Sequence, residues 1–193
     1  MGNKVITISR EFGSGGHFIG EELAKKLGVR YYDKDIIDKV AEETGLSAKF
    51  VETQGEYAPT KNFFSYSFIG RDASGASLAD QIFVAQTKII REIAEKESCV
   101  IIGRCADYIL KDNPDCVHAF IYGDTKIKAE RIQKLYNKSE KEALALMKEM
   151  DKKRSINYKY CTDQTWGNNK NYTITLNSSK LGFDTCVNIL AQL

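Results

Sequence analysis

A cluster of small residues near the start of the chain has the residue types and spacing of a phosphate-binding loop. Gly13-Ser14-Gly15-Gly16 follows the apolar run Val5–Ser9 and precedes apolar residues at helical spacing that end at Gly28. A strand that turns through glycines onto a helix presents converging backbone N–H groups and the positive end of the helix dipole. A side chain at these glycines would obstruct the turn or the approach of a phosphate. We therefore predict that residues 13–17 bind the phosphates of a nucleotide.

The loop departs from the standard phosphate-loop pattern GxxxxGK[S/T]. The best alignment places Arg10 on the first glycine and Gly15 on the second, so that Gly16 and His17 stand where the lysine and the hydroxyl residue are expected. The dinucleotide pattern GxGxxG fits less well, because Phe18 takes the place of its third glycine. The alternative interpretation is an ordinary strand–turn–helix corner, which four small residues directly after a strand disfavour.

Several cationic side chains could neutralise a transferring phosphate. Arg104 follows the apolar run Cys99–Gly103, and a planar guanidinium suits a phosphate better than an ammonium does. Arg131 lies beside Lys128, and the basic run at 152–154 is expected to end a helix. That run either interacts with the helix dipole or forms a lid that brings cations onto the phosphate. Phosphoryl transfer depends on positioning and charge neutralisation, which arginines around a glycine loop supply.

The composition indicates a single domain with mixed surface charge. The chain has 193 residues, of which 42% are hydrophobic, enough for one core. A formal net charge of +2 with 28% charged residues argues against a dedicated nucleic-acid surface. Five cysteines without CxxC spacing favour free thiols in a reducing compartment. Because there is no apolar run of ~20 residues and no signal peptide, we expect a cytoplasmic protein without a membrane partner.

The elements that position these residues alternate between strand and helix. Strands are predicted over 5–9, 29–32, 99–103, 117–122 and 172–176, and helices over 17–27, 34–43, 76–96, 104–111, 124–136, 139 to the 150s and 182–193. Asp33 is placed to cap the second of these helices, and Ser139 with Glu142 forms a capping box at the start of the last but one. Apolar strands that alternate with helices are typical of an α/β fold with a parallel sheet, whose ligands bind beyond the carboxyl ends of the strands. This geometry predicts that the glycine loop, Asp33, Arg104 and Asp124 meet at one edge. Residues 54–75 lack clear periodicity and predict a mobile loop or flap.

Taken in order, these motifs resemble the cytidylate kinase-like family, which belongs to the P-loop nucleoside monophosphate kinase superfamily. The resemblance covers nearly the whole chain and rests on residues 6–16, 27–28, 31–35, 101–106, 129–132, 172 and 177–182. It implies a three-layer α/β fold with a five-stranded parallel sheet, an acceptor-side flap at 54–75 and a lid at about 137–165. It also implies ATP as the donor, Mg²⁺, and a nucleoside monophosphate, nominally CMP or dCMP, as the acceptor.

The same resemblance implies a role for each of several residues. The donor phosphates would be wrapped by Gly13, Ser14, Gly15, Gly16 and His17, with Arg10 beside them. Asp33 and Lys39 would lie on the acceptor side, where Arg104 would hold the acceptor phosphate. The catalytic set would be completed by Arg131 near the adenine or the donor phosphates and by Lys153 and Arg154 in the lid. Residues 177–180 would border the adenine.

Three departures from true cytidylate kinases bear on activity. Gly16 replaces the loop lysine, which removes a charge-assisted contact worth roughly 1.5–3 kcal/mol unless Arg10 or another cation takes its place. The segment that reads GKG[S/T] in true cytidylate kinases is Gly15-Gly16-His17-Phe18 here, so the hydroxyl residue that holds Mg²⁺ is also absent, and Ser14 is the nearest substitute. Cys105 replaces the aspartate of the GRD segment. The sequence therefore predicts an ATP-dependent nucleotide kinase. The alternatives are a non-catalytic nucleotide-binding module and a kinase for a different small acceptor.

Overall fold

Strands and helices alternate along the two parts of the chain that this computed structural model describes, residues 3–55 and 77–193. The elements are β1 (Val5–Arg10), α1 (Gly16–Leu27), β2 (Arg30–Tyr32), α2 (Lys34–Thr44), α3 (Ala48–Gly55), α4 (Leu78–Lys96), β3 (Cys99–Ile102), α5 (Ala106–Ile109), β4 (Cys116–Tyr122), α6 (Thr125–Tyr136), α7 (Glu140–Thr162), a 3₁₀ turn (Asn169–Asn171), β5 (Ile174–Asn177), α8 (Ser178–Leu181) and α9 (Phe183–Ala191). The predicted flap at 54–75 lies outside the described residues from position 56 onward.

The five strands form one parallel sheet in the order β2-β3-β1-β4-β5. Every residue of β1 and β3 is buried, as expected for strands that helices cover on both faces. One core cluster joins the sheet to α2 and α4, and a second joins it to α1 and α9. The predicted three-layer α/β fold with a five-stranded parallel sheet is confirmed.

The observed helix α7 is longer than predicted. It runs for 23 residues from the capping box of Ser139 and Glu142, which the sequence predicted, to Thr162. The basic run at 152–154 therefore lies in the helix interior, and the prediction that it ends the helix is wrong. A C-terminal dipole interaction cannot account for these charges, because that effect is confined to the last turn.

The turn after β3 is the second departure from the predicted elements. The expected helix over 104–111 is reduced to Ala106–Ile109. The reason is that Gly103, Arg104 and Cys105 adopt left-handed backbone conformations in succession, with φ of 63°, 58° and 53°. These conformations end the strand abruptly and turn the chain at the carboxyl edge of the sheet.

Helix α7 packs on α6 and reaches back to the end of β1. A small apolar cluster joins the two helices through Ala129, Ile132, Ala143 and Met147, with Phe12 of the glycine loop packed against it. From α7, Arg154 Nη1 donates a hydrogen bond of 3.1 Å to the Arg10 carbonyl oxygen. The region predicted as a lid, about 137–165, is thus docked against the strand that leads into the glycine loop.

The cysteines and the helices of the described residues bear on the predictions made from composition. All five cysteines lie among them and are free thiols, as predicted. None of the helices in residues 3–55 and 77–193 has both the length and the apolar character needed to cross a membrane.

Candidate functional site

The glycine loop between β1 and α1 lies in a cleft of about 720 Å³. Gly13 and Gly15 have φ of 82° and 79°, a conformation that glycine adopts without steric cost. Helix α1 begins at Gly16, so the N–H groups of its first turn have no acceptor within the helix. Gly13, Gly15, Gly16 and His17 all line the cleft. The predicted loop therefore has the backbone geometry of an anion-binding turn.

Ser14 is turned away from this cleft. Its side chain is fully buried, and its hydroxyl donates a hydrogen bond of 2.8 Å to the Glu11 carbonyl oxygen. Its backbone N–H also donates to the Glu11 carbonyl oxygen, and its own carbonyl accepts from the Ser178 hydroxyl at 2.6 Å. Ser14 thus joins the loop to the first residue of α8, directly after β5. The structure does not place its hydroxyl where it could hold a phosphate or a metal ion.

Three buried arginines converge on the cleft from three different elements. Arg10 ends β1, Arg104 follows β3 and Arg154 lies on α7, and they are only 8%, 4% and 7% exposed. All three line the cleft and also a smaller cavity behind it. A guanidinium stays charged at every physiological pH, and buried charge is costly without counter-charge. Asp33 lies at ion-pair distance from Arg104, at 3.9 Å, and Asp151 lies 3.8 Å from Arg154.

The conformation of Arg104 itself indicates a functional constraint. A residue with a β-carbon pays roughly 1–2 kcal/mol in the left-handed region, and both Arg104 and Cys105 adopt it. Such strained residues cluster at active sites and ligand clamps, where the surrounding structure holds them. Here the Gly103 N–H donates to the Ile8 carbonyl oxygen at 3.0 Å and fixes the start of the turn. The turn delivers a nearly fully buried guanidinium to the cleft.

Arg131 and Phe183 cover the outer side of the loop. The Arg131 guanidinium lies over the Phe183 ring, 4.4 Å from its centroid, and donates a hydrogen bond to the Gly13 carbonyl oxygen. A β-carbon on Gly15 would lie 2.4 Å from the Phe183 ring, so the loop and the ring are in direct contact. Phe18, in the first turn of α1, also packs on Phe183, with 5.3 Å between the two ring centroids. The sequence prediction missed Phe183, whose one signal was its position after Gly182 at the start of the last helix.

Asp33 and His17 form a polar pair between the start of α2 and the first turn of α1. Asp33 precedes the first residue of α2, but its side chain does not cap that helix as predicted. Instead Asp33 Oδ2 lies 2.9 Å from His17 Nε2, while Oδ1 faces Arg104. Because both side chains line the cleft, the pair can interact with a bound molecule.

The structure does not bring three predicted residues into the lining of the cleft. Lys39 borders a separate depression between α2 and α4, beside Glu42 and Glu43. Lys153 forms an ion pair of 2.6 Å with Glu149, one turn earlier on α7. Asp124 bonds to Asn177 and to Lys180, interactions that lower the pKa of its carboxyl group. The contacts of Asp124 join residues more than fifty positions apart, so spacing along the chain did not reveal them.

The described residues hold no preformed metal site. Within residues 3–55 and 77–193, no three His, Cys, Asp or Glu side chains are grouped so that they could hold a metal ion. With the Ser14 hydroxyl turned inward, we assign no protein ligand to Mg²⁺.

Comparison with known sequences identifies the family of this chain. The pattern of the cytidylate kinase-like family matches residues 5–180, a range that contains the glycine loop, the Arg104 turn and helices α6 and α7. The chain belongs to the cytidylate kinase-like family. The resemblance drawn from the motifs is thus confirmed. The comparison with curated proteins gives no match.

Solved structures similar to this cytidylate kinase-like protein share its fold. An uncharacterised protein from Eubacterium ventriosum is 31% identical, with a TM-score of 0.75 and coverage of 98% of this chain and 97% of its own. Shikimate kinases from Bacteroides thetaiotaomicron and Acinetobacter baumannii are 17% and 13% identical, with TM-scores of 0.55 and 0.53. Those comparisons cover 98% of this chain and 96% and 92% of theirs. Family and fold together identify a kinase-type nucleotide-binding module of the P-loop class.

Proposed function

We propose that this cytidylate kinase-like protein transfers the γ-phosphoryl group of ATP to a small acceptor, nominally CMP or dCMP. The observation that carries the proposal is the convergence of Arg10, Arg104 and Arg154, all buried, on the cleft that contains the glycine loop. A phosphoryl group in transfer spreads negative charge over its oxygens, and enzymes stabilise it chiefly with preorganised positive charge and N–H donors. The three arginines are held by three separate elements, so their positions are fixed before a ligand binds.

The donor nucleotide fits on the α1 side of the cleft. The N–H groups of the first turn of α1 would face its phosphates, and the helix dipole adds to their attraction. Phe183 and Arg131 form a flat surface beside the loop, with the guanidinium 4.4 Å from the ring centroid. Flat aromatic and guanidinium faces stack on nucleobases. We place the adenine there, next to the end of β5.

The acceptor fits on the opposite wall, between the Arg104 turn and the start of α2. Arg104 offers a planar fork that can bind two phosphate oxygens at once. Asp33 lies beside it and can receive a hydrogen bond from the acceptor. Lys39 and Lys153, which point to other parts of the surface, have no role in this proposal. Arg154 acts from α7 as the predicted lid residue.

The family implies ATP and Mg²⁺ in general. When bound, Mg²⁺ would neutralise charge on the phosphates, and in phosphoryl transfer it typically keeps several waters and uses few protein ligands. The protein's own contribution is to orient the donor on the loop and to hold the transferring group among the arginines.

A kinase for a different acceptor is the second candidate. The observation that favours it is the His17–Asp33 pair, with 2.9 Å between Nε2 and Oδ2, in the acceptor half of the cleft. A carboxylate oriented by an imidazole can accept a proton from an acceptor hydroxyl group. Cys105, buried where true cytidylate kinases have an aspartate, also removes one contact to a nucleotide ribose.

The test is ADP release by the purified protein with ATP and Mg²⁺, measured against a panel of nucleoside monophosphates and of hydroxyl-bearing acceptors. We expect CMP or dCMP to raise the rate well above the background without acceptor. Turnover with a hydroxyl acceptor alone would select the second candidate. Binding of ATP without turnover on any acceptor would contradict both and favour a non-catalytic nucleotide-binding module.

A further inference from the structure

We propose that Arg10 takes the place of the missing loop lysine and contacts the β- and γ-phosphates of the donor. This inference rests on the proposed function and deepens it, because it assigns the cation on which donor binding depends. In this loop the glycine and the cationic residue have exchanged places. Where the standard loop has glycine at its first position and lysine at its seventh, this chain has Arg10 and Gly16.

In the structure, the side chain of Arg10 occupies the space that a side chain at position 16 would need. A β-carbon added to Gly16 would lie 2.5 Å from Arg10 Cβ and 2.9 Å from Arg10 Cγ, closer than real side chains approach. The stem of Arg10 therefore runs over the backbone of Gly16, at the first turn of α1. A side chain at 16 and the arginine at 10 exclude each other, so the loop holds one long cation from one position or the other.

The position of the stem places Arg10 near the bound phosphates. Arg10 is 8% exposed and lines the cleft together with Gly13, Gly15 and Gly16. The stem passes over the first turn of α1, where the N–H groups have no acceptor within the helix and can bind an anion. A guanidinium there can bind two oxygens in a fixed geometry, whereas the lysine of the standard loop binds as a point charge.

The other cations near the loop have different positions and partners. Lys128 is buried beside Gly13 but forms an ion pair of 2.6 Å with Glu11, and it does not line the cleft. Arg131 donates to the Gly13 carbonyl oxygen from outside the loop. Arg154 donates to the carbonyl oxygen of Arg10 itself. Each of these three side chains has a contact that holds the loop or its strand in place, and Arg131 and Arg154 also line the cleft. The stem of Arg10, in contrast, runs over Gly16, at the turn that would receive the donor phosphates.

The experiment compares four proteins: the natural chain, R10G, G16K and the double variant R10G/G16K. Calorimetric titration with ATP and with AMP gives the affinity for each nucleotide. Loss of a charge-assisted contact predicts that R10G binds ATP at least about tenfold more weakly, while AMP binding changes by no more than about twofold. We expect G16K to lose ATP affinity through its collision with Arg10, and R10G/G16K to regain affinity within about threefold of the natural chain.

Two further variants separate charge from packing. Arg10→Met retains an aliphatic stem over Gly16 without the charge and should fold normally, as thermal unfolding would show, yet lose ATP affinity as R10G does. Arg91→Ala removes an exposed arginine on α4 and should leave both affinities unchanged. Normal ATP affinity in Arg10→Met, or additive losses in the double variant, would overturn the role of Arg10. Absence of ATP binding by the natural chain would overturn the proposed function as well.

Discussion

Arg104 is the residue whose replacement should affect turnover most. It is 4% exposed, sits in a left-handed turn and faces the acceptor half of the cleft. With Arg104→Ala, the transferring phosphoryl group would lose a preorganised guanidinium, and we expect kcat/KM to fall by about three orders of magnitude or more. Steady-state kinetics with ATP and the best acceptor measures this loss.

The matched control for this prediction is Arg91→Ala, which removes an exposed arginine far from the cleft. It should leave kcat/KM within about twofold of the natural value, since surface substitutions usually have small effects. Full activity in Arg104→Ala would show that the turn after β3 does not contact the reacting groups.

Gly15 and Gly28 provide a second comparison of single residues. Both have positive φ, 79° and 66°, but a β-carbon on Gly28 would meet nothing within 4 Å, whereas one on Gly15 would strike the Phe183 ring. Alanine at Gly28 should lower the free energy of unfolding by about 1–2 kcal/mol through backbone strain, and alanine at Gly15 should lower it further because of the contact with Phe183. Gly15→Ala should in addition weaken ATP binding by about tenfold or more, because the loop and Phe183 must both shift.

Chemical denaturation and ATP titration of the two alanine variants test this prediction. Equal ATP affinity in Gly15→Ala and Gly28→Ala would mean that the loop around Gly15 does not hold the donor. Unchanged stability in Gly28→Ala would instead show that its backbone relaxes out of the left-handed region.

At the scale of elements, a buried carboxyl group joins α5 to α7. Asp107 accepts a hydrogen bond of 2.6 Å from the Tyr158 hydroxyl and lies 3.5 Å from the Ser9 hydroxyl of β1. Burial raises the pKa of Asp107 from 3.8 to about 6, although the hydrogen bond from Tyr158 acts in the opposite direction. Compared with the unfolded chain, the folded chain therefore favours the neutral form of the Asp107 carboxyl group.

This raised pKa predicts a pH dependence of stability. The folded chain binds the proton of Asp107 more tightly than the unfolded chain does, so the stabilisation is complete below pH 3.8 and is lost as pH rises through about 6. Between pH 4.5 and 7.5 the natural chain should lose about 2 kcal/mol of unfolding free energy relative to Asp107→Asn. Urea titrations of both proteins at the two pH values measure this difference; parallel changes would contradict the raised pKa.

The elements themselves could be predicted to the extent that their signals are local. The apolar runs and the glycines located all five strands, and the capping box of Ser139 and Glu142 located the start of α7. The length of α7 was underestimated, although residues 140–162 contain neither glycine nor proline to end the helix. The left-handed turn at Arg104 had no local signal, because arginine and cysteine do not favour that conformation.

At the scale of the whole molecule, the parallel sheet explains which site residues could be predicted. Strand order places the ends of β1 and β3 side by side, so Arg10 and Arg104 could be expected to meet with the glycine loop. Contacts between distant helices and loops could not be expected in the same way. The stacking of Phe183 on the loop and the inward turn of Ser14 depend on how α9 and β5 pack, which no spacing in the sequence encodes.

The central claim is that this cleft transfers a phosphoryl group from ATP, and the most direct measurement follows that group itself. The purified protein is incubated with γ-³²P-labelled ATP, Mg²⁺ and either CMP or dCMP, and the nucleotides are separated. The account predicts labelled diphosphate with the natural chain and at most a trace with Arg104→Ala. ATP binding without labelled product from these or any other acceptor in the panel would contradict it.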